Sequence, residues 1–90
     1  MTKFSIRQGY VIHNIAGDIF AISVTEHNSD NMILLNPVSE YLWHLLESPK
    51  TLTELAEELV KTYDIDMETA LTDVAELLDS FKKMDVLIED

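Results

Sequence analysis

The side chains able to do chemistry in this chain are few in kind. Its 90 residues include three histidines, His13, His27 and His44, seventeen Asp and Glu, and no cysteine. Without thiols there are no disulfides, thiolate nucleophiles, iron–sulfur ligands or common structural zinc sites. The coarse reading below puts the histidines on a strand, in a loop and on a helix. They form no i, i+4 histidine pair, and none is expected to meet a carboxylate at metal-ligand spacing. Solvated or hydrogen-bonded histidines are therefore expected, and no metal. With only Gly9 and Gly17 there is neither a phosphate-cradling loop nor a G-x-S-x-G elbow. Glu54, Glu57, Glu58, Glu68, Asp73, Glu76 and Asp79 fall where helix caps and solvated helix faces are expected. The chain reads as a non-enzyme with no cofactor of its own.

Charge excludes further classes. Six Lys and Arg against seventeen acids give a net charge of −11, so a grip on nucleic-acid phosphates or an anionic membrane would lack cations. The excess is uneven. Lys3 and Arg7 stand against Asp18, Glu26 and Asp30, a net of −1, before residue 36; residues 36–90 hold four Lys against fourteen acids, a net of −10. Hydrophobic residues at 47% and charged residues at 26% fit a folded domain, and one domain over residues 1–90 would bury roughly 60–65% of its unfolded surface. Residues 1–8 lack the apolar core of a signal peptide and no apolar run suits a membrane span, which leads to the expectation of a cytoplasmic protein.

The elements that must position these residues change character at Asn36. Before it, Tyr10–Ile15 and Ile19–Val24 alternate like strands joined through Gly17-Asp18, a pair suited to a glycine-first hairpin turn. A polar stretch, residues 25–31, then leads to a short third strand, Met32–Leu35, in an antiparallel meander. After it, apolar residues recur at helical spacing. Asn36-Pro37 opens a helix with inner residues Val38, Leu42, Leu45 and Leu46, and Ser48-Pro49 closes it. Thr51-x-x-Glu54 is a capping box for a second helix with Leu52, Leu55, Ala56, Leu59, Val60 and Tyr63 on one face. Asp66 caps a third, running to about Met84, with Ala70, Leu71, Val74, Leu77, Leu78, Phe81 and Met84 apolar. Val86-Leu87-Ile88 extends a strand or folds back on the core. Three strands followed by three helices make an α+β fold.

Two features suggest binding. The strand Met32-Ile33-Leu34-Leu35 has no polar side chain on either face, although soluble proteins usually guard a sheet edge with Lys, Pro or inward charge. Either helices and termini cover it, or a peptide from elsewhere adds as a further strand; two copies of the chain could also pair there. The third helix carries an apolar arc of roughly 140° at about 100° per residue, wider than the roughly 100° stripe one core needs. Its surplus is either core or one wall of a groove.

The order of these signals resembles the PqqD-like family. The residues that carry the likeness are Leu34-Leu35-Asn36, Leu42-Trp43-x-Leu45-Leu46, Thr51-x-x-Glu54-Leu55-Ala56-x-x-Leu59 with Tyr63-Asp64, and Ala70-x-x-Asp73-Val74-x-x-Leu77-Leu78. These RiPP recognition elements are small winged helix-turn-helix proteins that bind the leader of a ribosomally made precursor peptide. The resemblance implies an N-terminal three-stranded antiparallel sheet followed by three helices. It also implies a non-catalytic peptide chaperone that presents the precursor to a tailoring enzyme, commonly a radical SAM protein. Carried onto this chain, the leader adds along Met32, Ile33, Leu34 and Leu35, with Asp73, Leu77, Ser80, Phe81 and Met84 as the wall of the third helix. Two positions depart from the family pattern: Ser39-Glu40 stands where many relatives have Gly-Ala, and Asp85-Val86-Leu87 where many have Gly before two leucines. Asp enters the left-handed conformation less readily than Gly, so the turn after the third helix is expected to differ.

A winged helix-turn-helix invites a DNA reading, but from Met67 to Met84 the third helix has Glu68, Asp73, Glu76 and Asp79 against Lys82 and Lys83, a net of −2. The stronger alternative is a general protein-interaction subunit, such as an acidic antitoxin or an accessory subunit. The acidic helices also lead to the expectation that the leader's flanks or the partner enzyme present Lys and Arg.

Overall fold

The computed structural model describes residues 1–23 and 32–90. Val24, the polar stretch 25–31 and His27 within it lie outside the described residues. Two small antiparallel sheets and three helices form an α+β fold, in the order β1 (Lys3–Ile6), β2 (Tyr10–Ile15), β3 (Asp18–Ser23), β4 (Met32–Leu35), α1 (Pro37–Leu45), β5 (Lys50–Thr51), α2 (Leu52–Tyr63), α3 (Met67–Lys83) and β6 (Leu87–Glu89).

The first sheet is the expected meander, β2-β3-β4, with Ile15 opposite Asp18 and Ile22 opposite Met32. Its hairpin turn sits one residue earlier than the sequence suggested. Ala16 and Gly17 both take positive φ, 54° and 88°, the signature of a two-residue type I′ turn, and Asp18 already pairs in β3. The Gly17 N–H donates to Asn14 Oδ1 at 3.1 Å, which holds the turn while Ala16 bears the left-handed strain.

A second sheet, β5-β1-β6, was not anticipated apart from the open alternative at residues 86–88. β1 is its central strand, pairing Lys3 with Thr51 on one side and Phe4 with Glu89 on the other. Strands this short carry little alternation of their own, so distant partners decide them.

The helix caps form as the sequence dictates. Asn36 Oδ1 accepts the Ser39 N–H at 2.8 Å with Pro37 at the first helical position, and Asp66 Oδ1 accepts the Thr69 N–H at 2.7 Å. At α2 the capping box is reciprocal: the Thr51 N–H donates to Glu54 at 2.9 Å and the Glu54 N–H to Thr51 at 3.1 Å. α3 ends in a Schellman turn. Asp85 takes φ 60°, its N–H bonds Lys82 O at 3.1 Å, and the Val86 N–H reaches Phe81 O at 3.2 Å. The departure from glycine thus leaves the turn's shape intact and transfers its strain to Asp85.

One contiguous core joins the layers, built on Ala21, Leu35, Leu42, Trp43, Leu46, Leu55, Leu59, Val74, Leu78, Phe81 and Val86. Three residues assigned to inner faces from spacing alone are instead at the surface: Val38, Tyr63 and Met84 are 36%, 40% and 48% exposed. Trp43, one position from Leu42, takes the inner place on α1. It lies between Tyr10 and Phe81, edge to face with each at 5.7 and 5.5 Å.

Candidate functional site

β4 leaves Asn36 as cap and enters α1 directly, so its position is fixed by pairing with β3 on one side and by the helix cap at its end. Period-2 alternation splits its four apolar residues. Ile33 and Leu35 face the core beside Ala21 and Ile19, whereas Met32 and Leu34 point to the opposite face beside Ile22 and Phe20. Leu34 is 63% exposed and Met32 38%. Among the described residues no strand pairs with the outer edge of β4, so its outward N–H and C=O groups form a ladder with an open side.

Beyond the C-terminal end of β4, where Asn36 caps α1, the first turn of α1 and the outer face of α3 enclose a groove of about 260 Å³. Asn36, Val38 and Ser39 form the α1 side; Asp73, Glu76, Leu77 and Ser80 form the α3 side. The α3 residues lie together because positions three and four apart share a helix face. Of the residues assigned to the wall from sequence, the fold brings Asp73, Leu77 and Ser80 into this groove. Met84 lies on the surface at the end of α3, outside the groove lining. Phe81 is 2% exposed, its ring against Trp43, and stands behind the wall in the core. The surplus of the apolar arc is therefore divided, with Phe81 inward and Leu77 and Met84 outward. Val38, Ser39, Glu76 and Asn36 complete the groove unforeseen; the i, i+3 relation of Asp73 to Glu76 was the available signal for one of them.

The groove combines apolar Val38 and Leu77 with the carboxylates of Asp73 and Glu76. Asp73 and Glu76 enter none of the ion pairs formed among the described residues, which join Arg7 to Asp85, Lys82 to Glu89, Lys83 to Asp79 and His44 to Glu40 and Glu47. The last pair corrects one expectation. His44 does meet carboxylates, Glu47 at 2.7 Å and Glu40 at 3.7 Å, because i+3 and i−4 neighbours share its exposed face. No group of three or more His, Asp or Glu able to hold a metal occurs among the described residues. A larger concavity, about 490 Å³, lies beside β2 and the end of α1, lined by Arg7, Tyr10, Ile12, Trp43, His44 and Glu47 among others.

The family model for coenzyme PQQ synthesis protein D (PqqD) matches residues 11–87. The chain belongs to the PqqD family. The match takes in β2 from Val11 onward, β3, β4 and all three helices, hence every residue of the open edge and of the α1–α3 groove, and begins after β1. Membership in the PqqD family points to a peptide-binding accessory role in biosynthesis of PQQ or related peptide-derived products, not to catalysis. Neither the curated proteins nor the solved structures provide a significant match. Among the described residues no helix is long and apolar enough to cross a membrane.

Proposed function

We propose that this PqqD-family chain is a non-catalytic, cytoplasmic leader-peptide-binding protein, a winged helix-turn-helix domain over residues 1–90 put to peptide recognition. The leader of a ribosomally made precursor adds as a fourth strand on the outer edge of β4, beside the groove between α1 and α3. The domain then presents the rest of the precursor to a modifying enzyme, such as a radical SAM protein. The observation that carries this reading is the apolar edge of β4, unpaired among the described residues, on a strand that leads through Asn36 into a groove between α1 and α3. Main-chain hydrogen bonds along Met32–Leu35 supply register, while Leu77 in the groove and Met84 beyond it at the end of α3 supply apolar contact worth roughly 1.5–3 kcal/mol for a fully covered side chain. Ordering an extended peptide offsets much of that gain, which leaves micromolar binding as the expected strength.

The test is a titration of the chain with the leader of a precursor encoded beside it, followed by amide chemical shifts. Shifts along β4 and on the Asp73–Ser80 face of α3 are expected. Shifts confined to α2, or none, would overturn the groove and favour a protein-interaction subunit without leader specificity.

A further inference from the structure

The two carboxylates of the groove suggest which leader it accepts. Asp73 lies one turn before Leu77 on α3 and Glu76 directly precedes it, and neither Lys nor Arg lines this groove. Three of the chain's cations near the ends of the fold are already held elsewhere: Arg7 on Asp85, Lys82 on Glu89 and Lys83 on Asp79. The groove therefore combines an apolar step, Val38 and Leu77, with two carboxylates that enter no ion pair among the described residues, on a chain of net charge −11. A leader carrying an acidic residue beside them would meet like charge, and a neutral one would leave the carboxylates unanswered.

Spacing makes the requirement narrower. From Asp73 to Leu77 α3 rises about 6 Å. Side chains two residues apart on one face of an extended strand are about 6.6–6.8 Å apart. A cation and a bulky apolar side chain separated by one residue thus match Asp73 and Leu77 together. Adjacent residues would point to opposite faces of the added strand and could not serve both. We infer that the segment recognised by this groove is a basic-apolar one, with a Lys or Arg two residues from a large aliphatic or aromatic side chain, the cation seated on Asp73 and drawn there also by the charge of Glu76. This inference rests on the leader-binding reading and specifies the chemistry of its ligand.

The probe is a set of acetylated nine-residue host peptides, mainly Thr, each carrying one Leu. One has Lys two residues from the Leu, one has Glu in place of that Lys, and one has Lys adjacent to the Leu. Each is titrated into the full chain with amide shifts as the readout. The Lys peptide with two-residue spacing is expected to bind about tenfold more tightly than the Glu peptide at low salt, and the ratio to shrink at high salt. The adjacent-Lys peptide should fall between them. In the Asp73→Lys, Glu76→Lys double variant, both changes on exposed positions, the preference should invert. If β4 and α3 amides shift with equal affinity for all peptides, the basic-apolar inference is wrong while the groove remains the binding site. If no peptide shifts β4, and the natural leader does not either, the leader-binding reading itself falls.

Discussion

Trp43 and Phe81 meet edge to face with ring centroids 5.5 Å apart, each ring 2% exposed, and this contact locks α1 to α3 directly behind the groove. The two helices that form the groove are held at a fixed separation by a core pair and not by the groove residues themselves. A binding wall supported in this way is preorganised, so a ligand does not bear the cost of bringing its two sides together.

That relationship separates stability from binding. Phe81→Ala should cost about 3–5 kcal/mol of folding free energy, as other buried aromatic truncations do. Met84→Ala should change stability by no more than about 0.5 kcal/mol while weakening leader binding. Urea unfolding followed by the single tryptophan, Trp43, measures the first, and peptide titration the second. A strong binding loss from Phe81→Ala with unchanged stability would show that the ring reaches the ligand.

Strand addition makes a specific demand on β4. Ile33 and Leu34 are consecutive, so one N–H faces β3 and the other the open edge. Proline at the outward position should abolish binding with the fold retained, whereas proline at the inward position should destabilise the sheet. Comparison of Ile33→Pro and Leu34→Pro by circular dichroism and titration identifies which is which. Leu34→Ala should bind less well than the parent but better than the outward proline variant; equal losses would mean packing without a shared ladder.

The helix caps set an acid limit. The Thr51 backbone N–H beside it holds the Glu54 carboxyl below its ordinary value of 4.5, and the Thr69 N–H does the same for Asp66 below 3.8. Because both are lower in the folded chain, the unfolded chain takes up protons first, and their stabilisation is present above these ordinary values and lost as pH falls through the lowered ones. The parent should therefore be more stable than the Glu54→Gln, Asp66→Asn variant at pH 7, with the gap closing below about pH 4.5. Urea midpoints from pH 7 to pH 3 provide the comparison, and a gap independent of pH would exclude the charged caps as its source.

The left-handed residue after α3 offers a gain. Asp85→Gly removes the strain of φ 60° and gives up an exposed 3.0 Å pair with Arg7, so it should stabilise the fold by about 0.5–1 kcal/mol. Asp85→Ala keeps the strain and loses the pair, and should be the least stable of the three. Thermal midpoints rank them; a Gly variant no better than Ala would remove strain from the account.

The parts legible in the sequence are those governed by neighbours. Asn36-Pro37, the Thr51 and Glu54 box and Asp66 fixed three helix starts because a cap bonds within three residues, and Met32–Leu35 showed its strand through an apolar run between polar signals. β1 and β5 escaped notice because Lys3 pairs with Thr51 and Phe4 with Glu89, relations that no local pattern records. The turn shifted by one residue because Ala16, with no intrinsic preference for positive φ, adopts it under the register of the strands. In the groove, helical spacing located Asp73, Leu77 and Ser80 together but could not distinguish Phe81 from them, since that depends on where Trp43 of another helix lies.

The central position of β1 has a kinetic consequence. Residues 3–6 are made about 80 residues before one of their partners, Leu87–Glu89, so half of this sheet waits until that later segment is synthesised. Closing a loop of about 80 residues costs roughly 2 kcal/mol more than closing one of 10 on the logarithmic scale of chain entropy. The β2-β3-β4 meander, by contrast, closes through local pairings, so it is free to form while the C-terminal strand is still being made. The order of synthesis thus favours the open edge of β4 before the sheet that ties β1 to β6.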